Sequence, residues 1–136
     1  MKCYIVLLLL VTPFITSAQT NARVDKQMRQ FVNFYNKQQT DNICSLFPKE
    51  EIEEYDCFWK WAEHKLDAYS EYGKIKSFVY AGVDTSDPEG ISVFKVVYEK
   101  AGTKAMSFTL GEENKFGTFR FDTSSDEIEE MIRNVK

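Results

Sequence analysis

An α+β domain is predicted by three features of this 136-residue chain. Apolar residues recur at helical spacing from Val24 to Tyr72, the period changes to two after Gly73, and a capping-box pattern, Ser124 to Glu127, opens a short final helix through Val135. The expected architecture is a set of N-terminal helices packed across a four-stranded antiparallel meander, with a short C-terminal helix. In the first helix Val24, Met28, Phe31, Val32 and Tyr35 share one face, and Arg23, Lys26, Arg29, Asn33 and Lys37 surround the rest. It is expected to end near Gln39. Thr40 or Asp41 can cap a second helix, Asn42 to Phe47, which Pro48 limits. A third candidate runs from Lys49 to Tyr72 and carries Ile52, Tyr55, Trp59, Ala62, Leu66 and Tyr69 as its main apolar stripe, with Gly73 as its stop.

The strands are predicted at Lys74–Val83, Ile91–Glu99, Lys104–Leu110 and Phe116–Phe121, where β-branched and aromatic residues dominate. Their connections, DTSDPEG, KAG and GEEN, are short enough for antiparallel neighbours. In the last two strands Met106, Phe108 and Leu110 alternate with Ala105, Ser107 and Thr109, and Phe119 and Phe121 alternate with Thr118 and Arg120, so one face of that half is expected to be buried. The first two strands are apolar on both faces. Ile75, Val79 and Val83 alternate with Phe78 and Tyr80, and Ile91, Val93 and Val97 alternate with Phe94, Val96 and Tyr98. A partner subunit is the economical cover for the second face, which makes a homodimer through the sheet an expectation.

The chain opens with MKCYIVLLLLVTPFITSA, a lone Lys2 followed by an apolar run from Tyr4 to Val11 and small residues up to Ala18. This pattern is that of a secretory signal peptide, residues 1–18, cut before Gln19. The run is shorter than the roughly 20 residues of a membrane span, so no membrane anchor is expected after cleavage. Residues 19–136 then form a single exported domain, periplasmic or secreted. The net charge of −4 argues against nucleic acid as a partner, because such binding rests on a positive surface.

Rare side chains gather at Asp56–Lys65, DCFWKWAEHK, which holds Cys57, both tryptophans and the single histidine, His64. On a regular helix Cys57 and His64 would be separated by about 10.5 Å of rise, too far for a nucleophile and its base. Trp59 belongs to the main stripe; Cys57, Trp61 and His64 fall on roughly the other side. Export leaves two readings for the remaining cysteines, a Cys44–Cys57 disulfide or two buried thiols that never meet. Asp84, Asp87 and Glu89 near Gly90 lack the spacing of a calcium loop, and no metal site or cofactor is expected. KFGTFRF is read as core strand, not as an RNA-binding surface. A pocket, if the chain builds one, would be lined by Phe31, Tyr35, Trp59, Leu66, Met106, Phe108 and Phe119, the same residues a solid core would use.

The helix-one ending FVNFYNKQQTDNICSLF, the Gly73-Lys74-Ile75 start of the first strand, and FKVVYEK, MSFTL and KFGTFRF together resemble the cystatin-like α+β superfamily shaped like nuclear transport factor two. Within it the chain is most similar to small exported bacterial domains of unknown function. The resemblance covers Phe31 to Phe121. It implies a helix lying across a curved, cone-shaped sheet, a pocket inside the cone in some members, and dimerisation through the sheet in many. Members that act as isomerases or dehydratases place an acid or histidine with a tyrosine inside the cone, but no such set can be matched here residue by residue. The leading expectation is therefore a non-catalytic binding or protein-interaction domain, taking a small apolar ligand or an exported protein. The alternative is a small isomerase or dehydratase using Tyr35 or Tyr98 with an acid. A cystatin-like protease inhibitor ranks last, since its inhibitory hairpin would be the short polar Lys100-Ala101-Gly102-Thr103.

Overall fold

In the computed structural model, which describes residues 14–50, 69–86, 88–123, 130 and 133, helices precede a four-stranded antiparallel sheet. Helix α1 spans Phe14–Asn36 and α2 spans Thr40–Cys44; strands β1 to β4 are Ile75–Asp84, Ile91–Tyr98, Gly102–Leu110 and Phe116–Thr123. The sheet is open, with spatial order β1-β2-β3-β4, as a meander requires. All four strands lie within a residue or two of their predicted bounds. The predicted third helix is described only at Lys49–Glu50 and Tyr69–Tyr72, which are helical; its residues 51–68 lie outside the described residues. Most of the predicted C-terminal helix lies outside them too, and Glu130 and Arg133 are helical. Among the described residues no helix is long and apolar enough to cross a membrane.

Helix α1 starts at Phe14, upstream of the Val24 start that periodicity suggested. No glycine or proline interrupts Phe14–Asn36, so the backbone can stay helical where the apolar pattern is weak. Its end is a two-bond capping motif: Gln39 N–H donates to the Phe34 carbonyl at 2.9 Å and Gln38 N–H to the Tyr35 carbonyl at 2.9 Å. Gln38 takes the left-handed conformation, φ 53°, that such an ending demands. This turn leads directly into α2, so Gln39, not Thr40 or Asp41, occupies the N-cap position, and its carbonyl accepts from Ile43 N–H at 3.1 Å. Helix α2 also closes earlier than the predicted Phe47.

The predicted stripe of α1 is its buried face. Val24, Met28, Phe31 and Tyr35 join Ile43, Leu46, Phe47, Phe94, Val96, Tyr98, Met106, Phe108 and Phe116 in one core cluster. Phe108 is the hub on the sheet side. Its ring lies 4.7 Å from Phe116 and 5.5 Å from Phe94, while Phe31 reaches Phe116 at 6.2 Å and Phe119 at 5.4 Å. Edge-to-face and offset arrangements of this kind add about 1 kcal/mol per pair to the burial itself.

Two irregularities in β1 alter the predicted faces. The register with β2 shifts between Ile75 and Ser77 and again between Tyr80 and Gly82. Each extra residue reverses the side-chain parity beyond it. Ile75 therefore shares the core side with Phe78 and Tyr80, opposite Tyr98, instead of lying on the far face with Val79. Val83, now opposite Ser92, is likewise moved from the face first read for it. In β3 the expectation of a single buried face is also corrected. Ala105 and Ser107, which point away from α1, are as buried as Met106 and Phe108, and so are Ile91 and Val93 in the neighbouring strand. The centre of the second face is thus covered within one chain.

The start of β1 is clamped to the end of α1. The Asn36 side-chain amide donates to the Ile75 carbonyl at 2.9 Å and its Oδ1 accepts from Ile75 N–H at 2.8 Å, so one side chain pairs with both backbone groups of the residue as a neighbouring strand would. Tyr35 Oη donates to the Gly73 carbonyl at 3.1 Å. Gly73 has φ 72°, and a Cβ there would lie 3.0 Å from Glu99 Cβ, so both conformation and close approach call for glycine. The β2–β3 turn completes the joint, with Glu99 N–H donating to the Lys74 carbonyl at 2.8 Å and Lys100 N–H to the Tyr72 carbonyl at 2.9 Å.

Replacing Asn36 by Ala leaves the Ile75 N–H and carbonyl without those partners. Chemical denaturation should show a loss of about 2 kcal/mol, one net contribution per hydrogen bond; an unchanged midpoint would mean that the clamp adds nothing.

Candidate functional site

Of the residues proposed to line an internal pocket, the five described ones, Phe31, Tyr35, Met106, Phe108 and Phe119, pack in or against one core cluster. Phe31, Met106 and Phe108 have no solvent exposure, Tyr35 has almost none, and Phe119 packs against them half-buried. Phe47 closes the same group, 5.3 Å from Phe116 and 5.5 Å from Phe119. Trp59 and Leu66, the other two proposed lining residues, lie outside the described residues, as do Cys57, Trp61 and His64 of the DCFWKWAEHK stretch.

Tyr35 and Tyr98 sit in a group of four tyrosines at the end of the core nearest the clamp. Tyr35 is 5.5 Å from Tyr69 and 6.2 Å from Tyr98, and Tyr72 is 5.4 Å from Tyr98, ring to ring. Burial, reinforced by the neighbouring Tyr69 and Tyr72, pushes the Tyr35 hydroxyl far above its usual ionisation range. A hydroxyl held neutral and donating to a backbone carbonyl is a structural group; it does not take up protons from a substrate near neutrality. Glu99 lies beside this end of the fold, but it is exposed and accepts from Lys74 N–H at 3.4 Å. The hairpin Lys100–Thr103 is likewise engaged: besides its backbone bond to Tyr72, Lys100 donates through Nζ to the Ser70 carbonyl at 2.8 Å.

Asp84, one of the acids in the DTSDPEG connection, is buried and accepts from Ser86 N–H at 2.9 Å, which closes a local turn. Asp87 lies outside the described residues. No cluster of three or more metal-ligating side chains occurs among the described residues. Cys44 is buried and disulfide-bonded. Its partner lies outside the described residues, where Cys57 is the one expected from sequence.

A different concavity, about 470 Å³ in volume, opens on the surface between α1 and the β3–β4 hairpin. One wall is a stripe of α1, Arg23, Lys26, Gln27, Gln30 and Phe34, whose spacing of three and four places them on one side of the helix. The opposite wall is Ser45 and Leu46 after α2 together with Glu113, Asn114 and Lys115 of the hairpin. Two bonds fix this second wall. Phe116 N–H donates to the Leu46 carbonyl at 2.8 Å, and Lys115 Nζ donates to the Ser45 carbonyl at 2.6 Å. Within the short 3-10 turn at the hairpin tip, Glu112–Asn114, Glu113 and Asn114 have φ of 54° and 59°. Left-handed backbone in a glutamate is uncommon and costs energy that the surrounding contacts must offset.

Sequence reading placed Arg23 and Lys26 on the solvated side of α1 and treated GEEN as a plain connection, and so missed this groove. The polar stripe Arg23-Lys26-Gln27-Gln30 was visible as a spacing, yet nothing in it announces the hairpin that faces it some ninety residues later.

Stability should fall as pH rises past about 10, where tyrosines of the unfolded chain begin to ionise while Tyr35 in the folded chain does not. The stabilisation from the raised value is complete below that point and fades above it, so Tyr35→Phe should flatten the alkaline limb of a stability-versus-pH curve. Non-reducing peptide mapping should find Cys44 joined to Cys57, and reduction should lower the unfolding free energy by about 3 kcal/mol, the value for a loop of that length.

Comparison with family models, with curated proteins and with solved structures finds no match to this chain.

Proposed function

We propose that this chain is an exported, non-catalytic binding domain of the cystatin-like shape, with copies pairing through the sheet. The observation that carries the reading is the contrast between interior and rim. The space between α1 and the sheet is filled by aromatic rings with no exposure, whereas the surface groove between α1 and the β3–β4 hairpin is open, polar and braced by backbone-anchored walls. Among the described residues the interior is filled, which favours the rim groove as a place to hold a ligand, and rigid walls favour binding by lowering the ordering cost. Export is supported by the N-terminal pattern of Lys2, the Tyr4–Val11 run and Ala18, and by the resemblance of the core and turn motifs to small exported domains.

Self-association is argued from β1. It is an edge of an open sheet, and Val79 on its outer face is 65% exposed, beside the exposed Ser77 and opposite Lys95. Because the centre of that face is covered within the chain, the area left for a partner copy is confined to the β1 side.

Ligand binding at the rim is tested by recording amide chemical-shift changes across a panel of small fragments. Shifts should cluster on Arg23–Gln30 and Glu113–Lys115; clustering on Phe31, Met106 and Phe108 would favour an internal pocket and sink this reading. Pairing is tested by light scattering across micromolar concentrations, where the native chain should approach twice the monomer mass and Val79→Glu should remain monomeric. A native chain that stays monomeric throughout would remove the dimer.

A further inference from the structure

We propose that the groove between α1 and the β3–β4 hairpin takes a small organic anion, a carboxylate carried on an apolar body. This rests on the binding reading above and names the ligand's chemistry. The groove is a local reversal of the molecule's charge: in a chain of net −4, three of its lining side chains are cationic, Arg23, Lys26 and Lys115, against a single carboxylate, Glu113. Arg23 and Lys26 make no ion pair among the described residues, although Arg29 on the same helix pairs with Asp25 at 2.7 Å. Lys115 is held in place by the Ser45 carbonyl, which aims an ammonium group at the groove without neutralising it.

The second observation is independent of charge. Gln27 is 94% buried yet lines the groove, and it is not among the described residues whose side-chain polar atoms are both fully buried and unpartnered, so its amide is open to the groove. Packed firmly by the rest of the side chain, that amide is held in place to donate to a ligand oxygen at little ordering cost. An Arg or Lys together with an amide donor is the arrangement that recognises a carboxylate, through charge-assisted hydrogen bonds. Phe34 and Leu46 complete the lining with apolar surface, which a fully solvated inorganic anion would not use but a ring or short hydrocarbon would. The volume of about 470 Å³ lies within the range of small-molecule sites.

The probes are benzoate, its neutral isostere benzamide, and inorganic phosphate, each titrated at constant ionic strength into the full-length protein as the cell processes it, with the Gln27, Gln30 and Lys115 amide resonances as readout. Benzoate should saturate with a dissociation constant at least fivefold below those of benzamide and phosphate. The exposed pair Arg23→Gln/Lys26→Gln should weaken benzoate at least fivefold while leaving benzamide unchanged, and Glu113→Gln should tighten benzoate by removing the opposing charge. Equal binding of benzoate and benzamide would overturn the anion assignment and leave a binding groove standing; no saturable response to any probe would overturn both. Phosphate binding as tightly as benzoate would overturn the apolar-body requirement.

Discussion

The placement of the rim groove and of the exposed sheet edge depends on how the end of α1 is joined to the start of β1. Asn36 imitates a strand for one residue, meeting both backbone groups of Ile75, and Tyr35 takes the carbonyl of Gly73 just before it. Those bonds connect residues nearly forty positions apart, so they bring a helix and a sheet into register that local propensity cannot relate. With that end fixed, the stripe of Met28 and Phe31 lies over Phe94, Phe108 and Phe116, and the polar stripe of the same helix is left at the rim opposite the β3–β4 hairpin.

The hairpin end is joined just as specifically, but through the loop after α2. Leu46 offers its carbonyl to Phe116 while its side chain enters the core, so one residue both pairs with the strand and fills the interior. Helix α2 can reach that position because α1 ends in a tight left-handed turn at Gln38 and α2 begins at once. The polar groove is a consequence of this geometry. Its two walls are α1 and the Ser45–Leu46 and hairpin segments that the Leu46–Phe116 bond joins, and most of the polar side chains that line it lie outside the core.

The interior also shows what stabilises the sheet against its own symmetry. Apolar residues on both faces of β1 and β2 would permit more than one register, since a slip of one residue exchanges the faces. The two bulges in β1 remove that freedom: the first commits Ile75 to the side of Phe78 and Tyr80, and the second reverses the parity of Val83. What they leave outside is Val79, exposed on the edge strand with the polar Lys76 and Ser77.

Strand positions, the α1 stripe, the meander order and the glycine stop at Gly73 were all legible in the order of residues, because each follows from spacing or turn chemistry within about ten positions. The separation of Phe31, Met106 and Phe108 as one group was legible for the same reason. The parity reversals at Ile75 and Val83 were not, since a bulge is decided by what the neighbouring strand offers, and the burial of Ala105 and Ser107 was not, since small residues carry no periodic signal of their own. The groove was least visible of all. Arg23 and Lys26 read as an ordinary solvated helix face until the Leu46–Phe116 bond sets a hairpin against them. Short-range patterns of apolar and turn residues were enough to specify the elements; only tertiary hydrogen bonds across forty to seventy positions decided which polar residues would share a site.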